Sequence, residues 1–159
     1  MKIKNTEYLS LGLWVSGLLV ISSVLGTLTR SNIDSWYTTL NRSVLTPPSY
    51  VFPIAWTLLY IMIAFSGWTL WRTQSFAKLI LIKRLYIMQL LLNWSWSPLF
   101  FYYHLTGISL VSLVAMDVSV ALIVYFSYAK IRSVSMLMLP YLGWILFATY
   151  LNFYIWQYN

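Results

Sequence analysis

Cysteine is absent from this chain and acids nearly so: three Asp and Glu stand against ten Lys and Arg, with a single histidine. Without cysteine there is no disulfide, no thiolate nucleophile and no cysteine-ligated metal. The acids are Glu7, Asp34 and Asp117, so a carboxylate pair for acid–base hydrolysis would have to be drawn from different depths of the fold. His104 alone cannot supply the three or four ligands of a zinc site, and no metal is expected. The glycines, at 12, 17, 26, 67, 107 and 143, are scattered; no phosphate-cradling loop and no G-x-S-x-G elbow can be found. Charge of either sign is scarce as well, at 8% of 159 residues, where a soluble domain carries roughly a quarter.

Apolar and aromatic side chains fill the space the charges leave. The chain is 60% hydrophobic with a mean hydropathy of +0.74, and it holds nine Trp, 13 Tyr and eight Phe. A helix needs about 20 apolar residues to cross about 30 Å of hydrocarbon. Five such stretches are predicted, at about 8–29, 48–71, 85–103, 108–128 and 134–156. The expected fold is an all-α membrane protein, a bundle of five transmembrane helices forming one domain over residues 1–159. The first run is too long for a signal-peptide core and lacks a small-residue cleavage site. No fixed-period repeat, linker or low-complexity tract interrupts the pattern, and an odd number of spans argues against an inverted-repeat transporter.

A net charge of +7 in a soluble protein would suggest nucleic acid, but here the basic residues sit at the ends of the apolar runs, and no nucleic-acid partner is expected. Lys2, Lys4, Arg72, Lys78, Lys83, Arg84, Lys130 and Arg132 fall on one side of the bilayer, and only Arg30 and Arg42 on the other. The positive-inside rule then places the amino terminus on the basic side of an integral membrane protein, with a bacterial cell membrane as the expected location.

Polar and aromatic residues align on three predicted helix faces. Phe52, Trp56 and Tyr60 recur at i, i+4 and i+8 of the second span. Thr46 and Pro47 read as its N-cap and first helical position, with Pro53 either kinking the first turns or marking the true start. Gln89, Asn93, Trp96 and Phe100 align in the third span, which Pro98 bends near its end. Trp144, Ala148 and Asn152 share a face of the fifth, where a small residue between a ring and an amide makes a recess. Ser22 and Gly26 in the first span have the small-x-x-x-small spacing of close helix packing. Each face is open to two readings, interhelical packing or contact with a flat, amphipathic guest. Asp117, near the middle of the fourth span, marks either a function or a specific buried partner.

Taken together, these residues resemble the translocator protein family, also called tryptophan-rich sensory proteins or TspO. The resemblance rests on W-Y-x-x-L at Trp36–Leu40, P-P at Pro47 and Pro48, and W-x-x-L-Y at Trp56–Tyr60. It continues through Q-L-x-L-N-x-x-W-S at Gln89–Ser97, the rings Phe100 and Phe101, and P-Y-L-x-W-x-x-F-A-x-x-L-N at Pro140–Asn152. The chain departs from the family pattern at Arg42, Ser43 and Leu45, where the first loop usually reads K-P-x-W. It departs again at Ser112, where an acid is common. No Lys or Arg follows Arg132, so the sterol-recognition pattern of the fifth span is incomplete.

The resemblance implies a five-helix bundle, commonly a homodimer, that binds protoporphyrin IX and related planar hydrophobic molecules as ligand, with no required cofactor. By matching position it implies a pocket lined by Trp56, Asn93, Trp96, Ser97, Trp144, Ala148 and Leu151, with Phe52 and Tyr60 nearby and Tyr37 in the covering loop. Three roles are then open: sequestering or handing on porphyrins under oxidative stress, light-dependent porphyrin degradation with Trp56 and Trp144 as redox-active indoles, and carriage of a porphyrin or lipid across the membrane.

Overall fold

The computed structural model describes residues 5–33 and 35–159. Lys2, Lys4 and Asp34 lie outside them. In hydrocarbon every backbone N–H and C=O must find its partner within the chain, and long apolar runs solve this as helices. Five form: α1 (Asn5–Ile33), α2 (Val51–Arg72), α3 (Leu79–Ser97), α4 (Thr106–Ser127) and α5 (Arg132–Tyr158), with no strand among the described residues. Around the bundle the packing order is α1, α2, α5, α4, α3, and the end of α3 returns to α1. One cluster of buried side chains draws on all five, from Leu18 through Ile63, Tyr86 and Val120 to Tyr141 and Ile145. Helices α2 and α3 approach little along their backbones, and their side chains bridge the gap.

Four helices, α1, α2, α4 and α5, are long and apolar enough to cross a membrane. The expected third span is the exception, because Lys83, Arg84, Gln89 and Asn93 all fall within α3. Helix α3 begins at Leu79 rather than near Leu85, so Lys83 and Arg84 belong to the helix and not to the connection. Lys and Arg are good helix formers, and their stems lie along apolar surface; the Lys83 ammonium rests 5.4 Å from the centre of the Trp71 ring.

The start of the second span also differs from expectation. Thr46 is not its N-cap; α2 begins at Val51, after a turn in which the Val51 N–H donates to the Pro48 carbonyl at 3.0 Å. A residue before proline is pushed out of the α region, so Pro47, preceding Pro48, cannot open a helix. Pro53 sits in the first turn, where its missing N–H costs no hydrogen bond. At the same end of the bundle, α3 gives way to a π-helical turn, Pro98–Tyr102, closed by the Tyr103 N–H on the Pro98 carbonyl at 3.0 Å. His104 follows in the left-handed region, φ 56°, and its imidazole stacks on the Trp36 indole with ring centres 3.9 Å apart.

Two close approaches fix the frame. Gly67 on α2 lies against the Tyr86 ring and Trp14, and an added methyl would fall 2.6 Å from the Trp14 ring. Asp117 has a specific partner: the half-buried Thr149 of α5, whose hydroxyl lies 2.7 Å from its Oδ2 and donates to it. At Gly26, by contrast, the close approach expected of the Ser22–Gly26 spacing is not made among the described residues, for an added methyl there would meet nothing within 4 Å.

Candidate functional site

The first turns of α2 aim Phe52, Trp56 and Tyr60 at α5 and α3. Phe52 meets Trp144 edge-on at 6.1 Å, and Trp56 touches both Tyr60 at 5.8 Å and Tyr141 at 6.4 Å. Behind these rings runs a buried polar chain. The Tyr60 hydroxyl donates to Asn93 Oδ1 at 2.5 Å, Asn93 Nδ2 donates to the Tyr141 hydroxyl at 3.0 Å, and that hydroxyl donates to Gln89 Oε1 at 3.0 Å. Three helices thus place one hydrogen-bonded line across the bundle. Gln89 and Tyr141 are fully buried, and Gln89 Nε2 has no hydrogen-bond partner among the described residues.

One turn further along α3, Trp96 is held by a second tie. Its indole N–H donates to Asn152 Oδ1 at 3.1 Å, the Ser109 hydroxyl donates to the same oxygen at 2.9 Å, and Asn152 Nδ2 donates to the Thr106 carbonyl at 2.8 Å. Asn152 therefore joins α3, α4 and α5, its amide oxygen taken by two donors and its side chain buried. Trp96 stacks on Phe100 at 5.2 Å and meets Phe101 edge-on at 5.7 Å.

The loop between α1 and α2 folds over this end of the bundle. Tyr37 packs on Phe100 at 6.2 Å and Phe101 at 5.6 Å, Trp36 on Phe100 at 5.5 Å. The Arg42 guanidinium lies 5.4 Å from the Tyr37 ring centre. Burial pushes the Tyr37 phenol above the ordinary tyrosine range, while the positive charge of Arg42 pulls it back. Further along, the loop is tied to α5. The Asn41 N–H donates to Asn159 Oδ1 at 2.8 Å, Asn41 Nδ2 to the Tyr158 carbonyl at 3.1 Å and Asn159 Nδ2 to the Asn41 carbonyl at 3.2 Å; buried Ser43 bonds the Tyr150 hydroxyl at 2.8 Å.

Of the residues singled out from sequence, Trp56, Tyr60 and Asn93 form one connected group through Tyr141, Phe52 and Trp144 form a pair, and Tyr37 and Trp96 meet in a third set through Phe100 and Phe101. Trp56, Trp96, Trp144 and Ala148 are half-buried against the common core, and Leu151 is buried. Ser97 is half-buried at the last position of α3, beside Trp96. Tyr141, the hub of the polar chain, was not among the expected site residues, although it lies three positions before Trp144 on the same helix face. Grooves of about 560 Å3 between α3 and α4, and about 290 Å3 along α1, lie elsewhere, on lipid-type surface lined by residues such as Val111, Ala115 and Leu13.

Aromatic rings around a buried Tyr–Asn–Tyr–Gln line, under a loop rich in rings, can be compared directly with known proteins. The model of the TspO/MBR family matches residues 14–157, from within α1 to the last turn of α5, with the covering loop between. The chain belongs to the TspO/MBR family. It is 38% identical to the tryptophan-rich protein TspO of Archaeoglobus fulgidus over 131 residues, 82% of this chain and 84% of that protein. It is 31% identical to the human translocator protein over 126 residues, 78% of this chain and 75% of that one. Identity to the tryptophan-rich sensory protein of Cereibacter sphaeroides is 31% over 120 residues, covering 76% and 74%. As a TspO/MBR protein built of apolar helices, it is an integral membrane protein.

Proposed function

We propose that this chain binds a tetrapyrrole, with protoporphyrin IX as the test ligand, and sequesters it or hands it on, with no cofactor required. The observation that carries this reading is the packing of Trp56 on the Tyr60 and Tyr141 rings of the buried Tyr60–Asn93–Tyr141 line, with Phe52 of α2 meeting Trp144 of α5 edge-on one turn away, under an aromatic loop. Flat apolar faces backed by a few fixed polar groups are what a planar amphipathic guest requires. Phe52, Trp96, Ser97, Ala148 and Leu151 complete the lining, and Tyr37 the cover. Arg42, exposed at the loop and braced on Tyr37, pairs with a propionate. Titration of purified protein with protoporphyrin IX in darkness saturates and quenches tryptophan fluorescence, and Trp56→Ala or Trp144→Ala weakens binding by about tenfold, the loss of one aromatic contact of about 1.5 kcal/mol. Unchanged affinity in both variants removes the proposal.

Light-dependent breakdown of the bound porphyrin is a second reading, favoured by the contact of Trp56 with two oxidisable phenols, Tyr60 and Tyr141. Excited porphyrin, with dioxygen as oxidant, draws on Trp56 and Trp144. Illumination then yields a discrete product; bleaching no faster than in detergent alone excludes it.

The arrangement in the membrane follows the same reading. Helix α3 with its π turn is the fifth span, its amides turned inward; the amino terminus faces the positive-inside compartment of a bacterial cell membrane; and the protein is a homodimer. The exposed face of α1, where Gly26 meets nothing within the chain, is open to a second copy. A monomer by light scattering in mild detergent and in nanodiscs removes the dimer.

A further inference from the structure

One end of the bundle gathers an end of each of the five helices and most of the described cations. Arg72 closes α2, Lys78 precedes α3, Lys83 and Arg84 lie in its second turn, Lys130 precedes α5 and Arg132 opens it. Among the described residues the acid at this end is Glu7, and it accepts from Arg72. The other cations have no carboxylate partner among the described residues.

Their placement is specific. Lys78 lies 4.2 Å from the Phe126 ring centre, Lys83 5.4 Å from Trp71, Arg72 4.4 Å from Trp68 and Arg132 5.5 Å from Tyr128. Each of these charges rests on a ring at the end of a helix, the depth at which aromatic belts meet headgroups. The connections here, 73–78 and 128–131, are too short to carry the charges away from the membrane surface. A nucleic acid or a soluble acidic protein would have to lie flat on the headgroup layer to reach them; lipid phosphates are already there.

We infer that the corner of α3, α4 and α5 formed by Lys78, Arg84, Lys130 and Arg132 selects anionic phospholipid, holding its phosphate between these cations, of which Lys78 and Arg132 are braced on Phe126 and Tyr128, while its acyl chains lie along the apolar helix faces. The selection is independent of porphyrin binding. It orders a shell of anionic lipid at the basic end of the bundle.

The test is the full chain in phosphatidylcholine vesicles carrying trace spin-labelled phosphatidylglycerol or spin-labelled phosphatidylcholine, read by electron spin resonance as the motionally restricted fraction of each. At low salt the restricted fraction of the anionic probe exceeds that of the zwitterionic one. Each charge removed lowers the selectivity by up to about fivefold, so Lys78→Gln/Lys130→Gln/Arg132→Gln brings the two probes close to equality. On the unmodified chain, rising sodium chloride does the same over the range in which the Debye length shrinks. Equal restriction of both probes at low salt, or selectivity indifferent to both the substitutions and the salt, overturns the inference. So does inorganic phosphate abolishing the selectivity at an ionic strength where chloride preserves it, since the corner would then hold a free anion.

Discussion

Tyr141 shows how much one side chain can organise. Its hydroxyl accepts from Asn93, donates to Gln89 and lies 3.2 Å from Met116 Sδ, so it meets α3 and α4 from α5. Removing that oxygen in Tyr141→Phe strands two buried amides, each already short of water, and is expected to cost about 1–3 kcal/mol by thermal unfolding in detergent. Thr149→Val, which strips Asp117 of its described donor, acts in the same range and by the same cause. Tyr37 responds to pH instead. Burial raises its phenol above the ordinary value of 10.0, so the docked loop holds its full stability below that value and loses it as the pH climbs through the raised one. Trp36 fluorescence in the wild type should therefore shift at alkaline pH, whereas in Tyr37→Phe that transition is lost; identical curves would contradict it. Residues such as Asn93 and Trp56 were legible in the sequence because a polar or aromatic group repeating at helical spacing in an apolar run stands out. Tyr141 was not, since one tyrosine among 13 carries no contrast until its neighbours are known.

Among the elements, α2 is the most demanding. Gly67 lets its backbone approach Tyr86 and Trp14, and Tyr86 secures the approach by donating to the Ile63 carbonyl at 2.8 Å. Gly67→Ala forces both rings to move in a packed core and is expected to destabilise by about 1–3 kcal/mol, despite the better helix propensity of alanine. A thermal midpoint equal to wild type would show the packing to be looser than described. The boundaries of α4 and α5 lie within about two residues of those expected, because an apolar run of membrane length fixes a helix. Helix α3 extended further back than its apolar run, since Lys83 and Arg84 favour a helix as well as a headgroup. The π turn at Pro98–Tyr102 left no mark beyond the proline, and it is this turn that sets Phe100 and Phe101 against Trp36 and Tyr37.

For the whole molecule, the packing order leaves α2 and α3 bridged by side chains rather than in close backbone contact, and the proposed site is built in that gap. The fold class followed from what the chain lacks: with so few charges, only a bilayer could solvate its surface. The proposed site was legible as three faces but not as one place, because faces come together only when packing turns them towards one another. Asn152 illustrates the difference. Its spacing from Trp144 and Ala148 marked it as part of a recess, yet it is buried and ties α3 and α4 to α5.

The central claim, that indoles from α2 and α5 grip one guest, is tested most directly by a double-mutant cycle on protoporphyrin IX affinity with Trp56→Ala, Trp144→Ala and the pair, alongside their unfolding midpoints. The account predicts that each single change weakens binding about tenfold, with the double change coupled rather than additive because both rings face the same molecule. Midpoints that fall while affinity stays constant in all three variants would contradict it, and would make these tryptophans core.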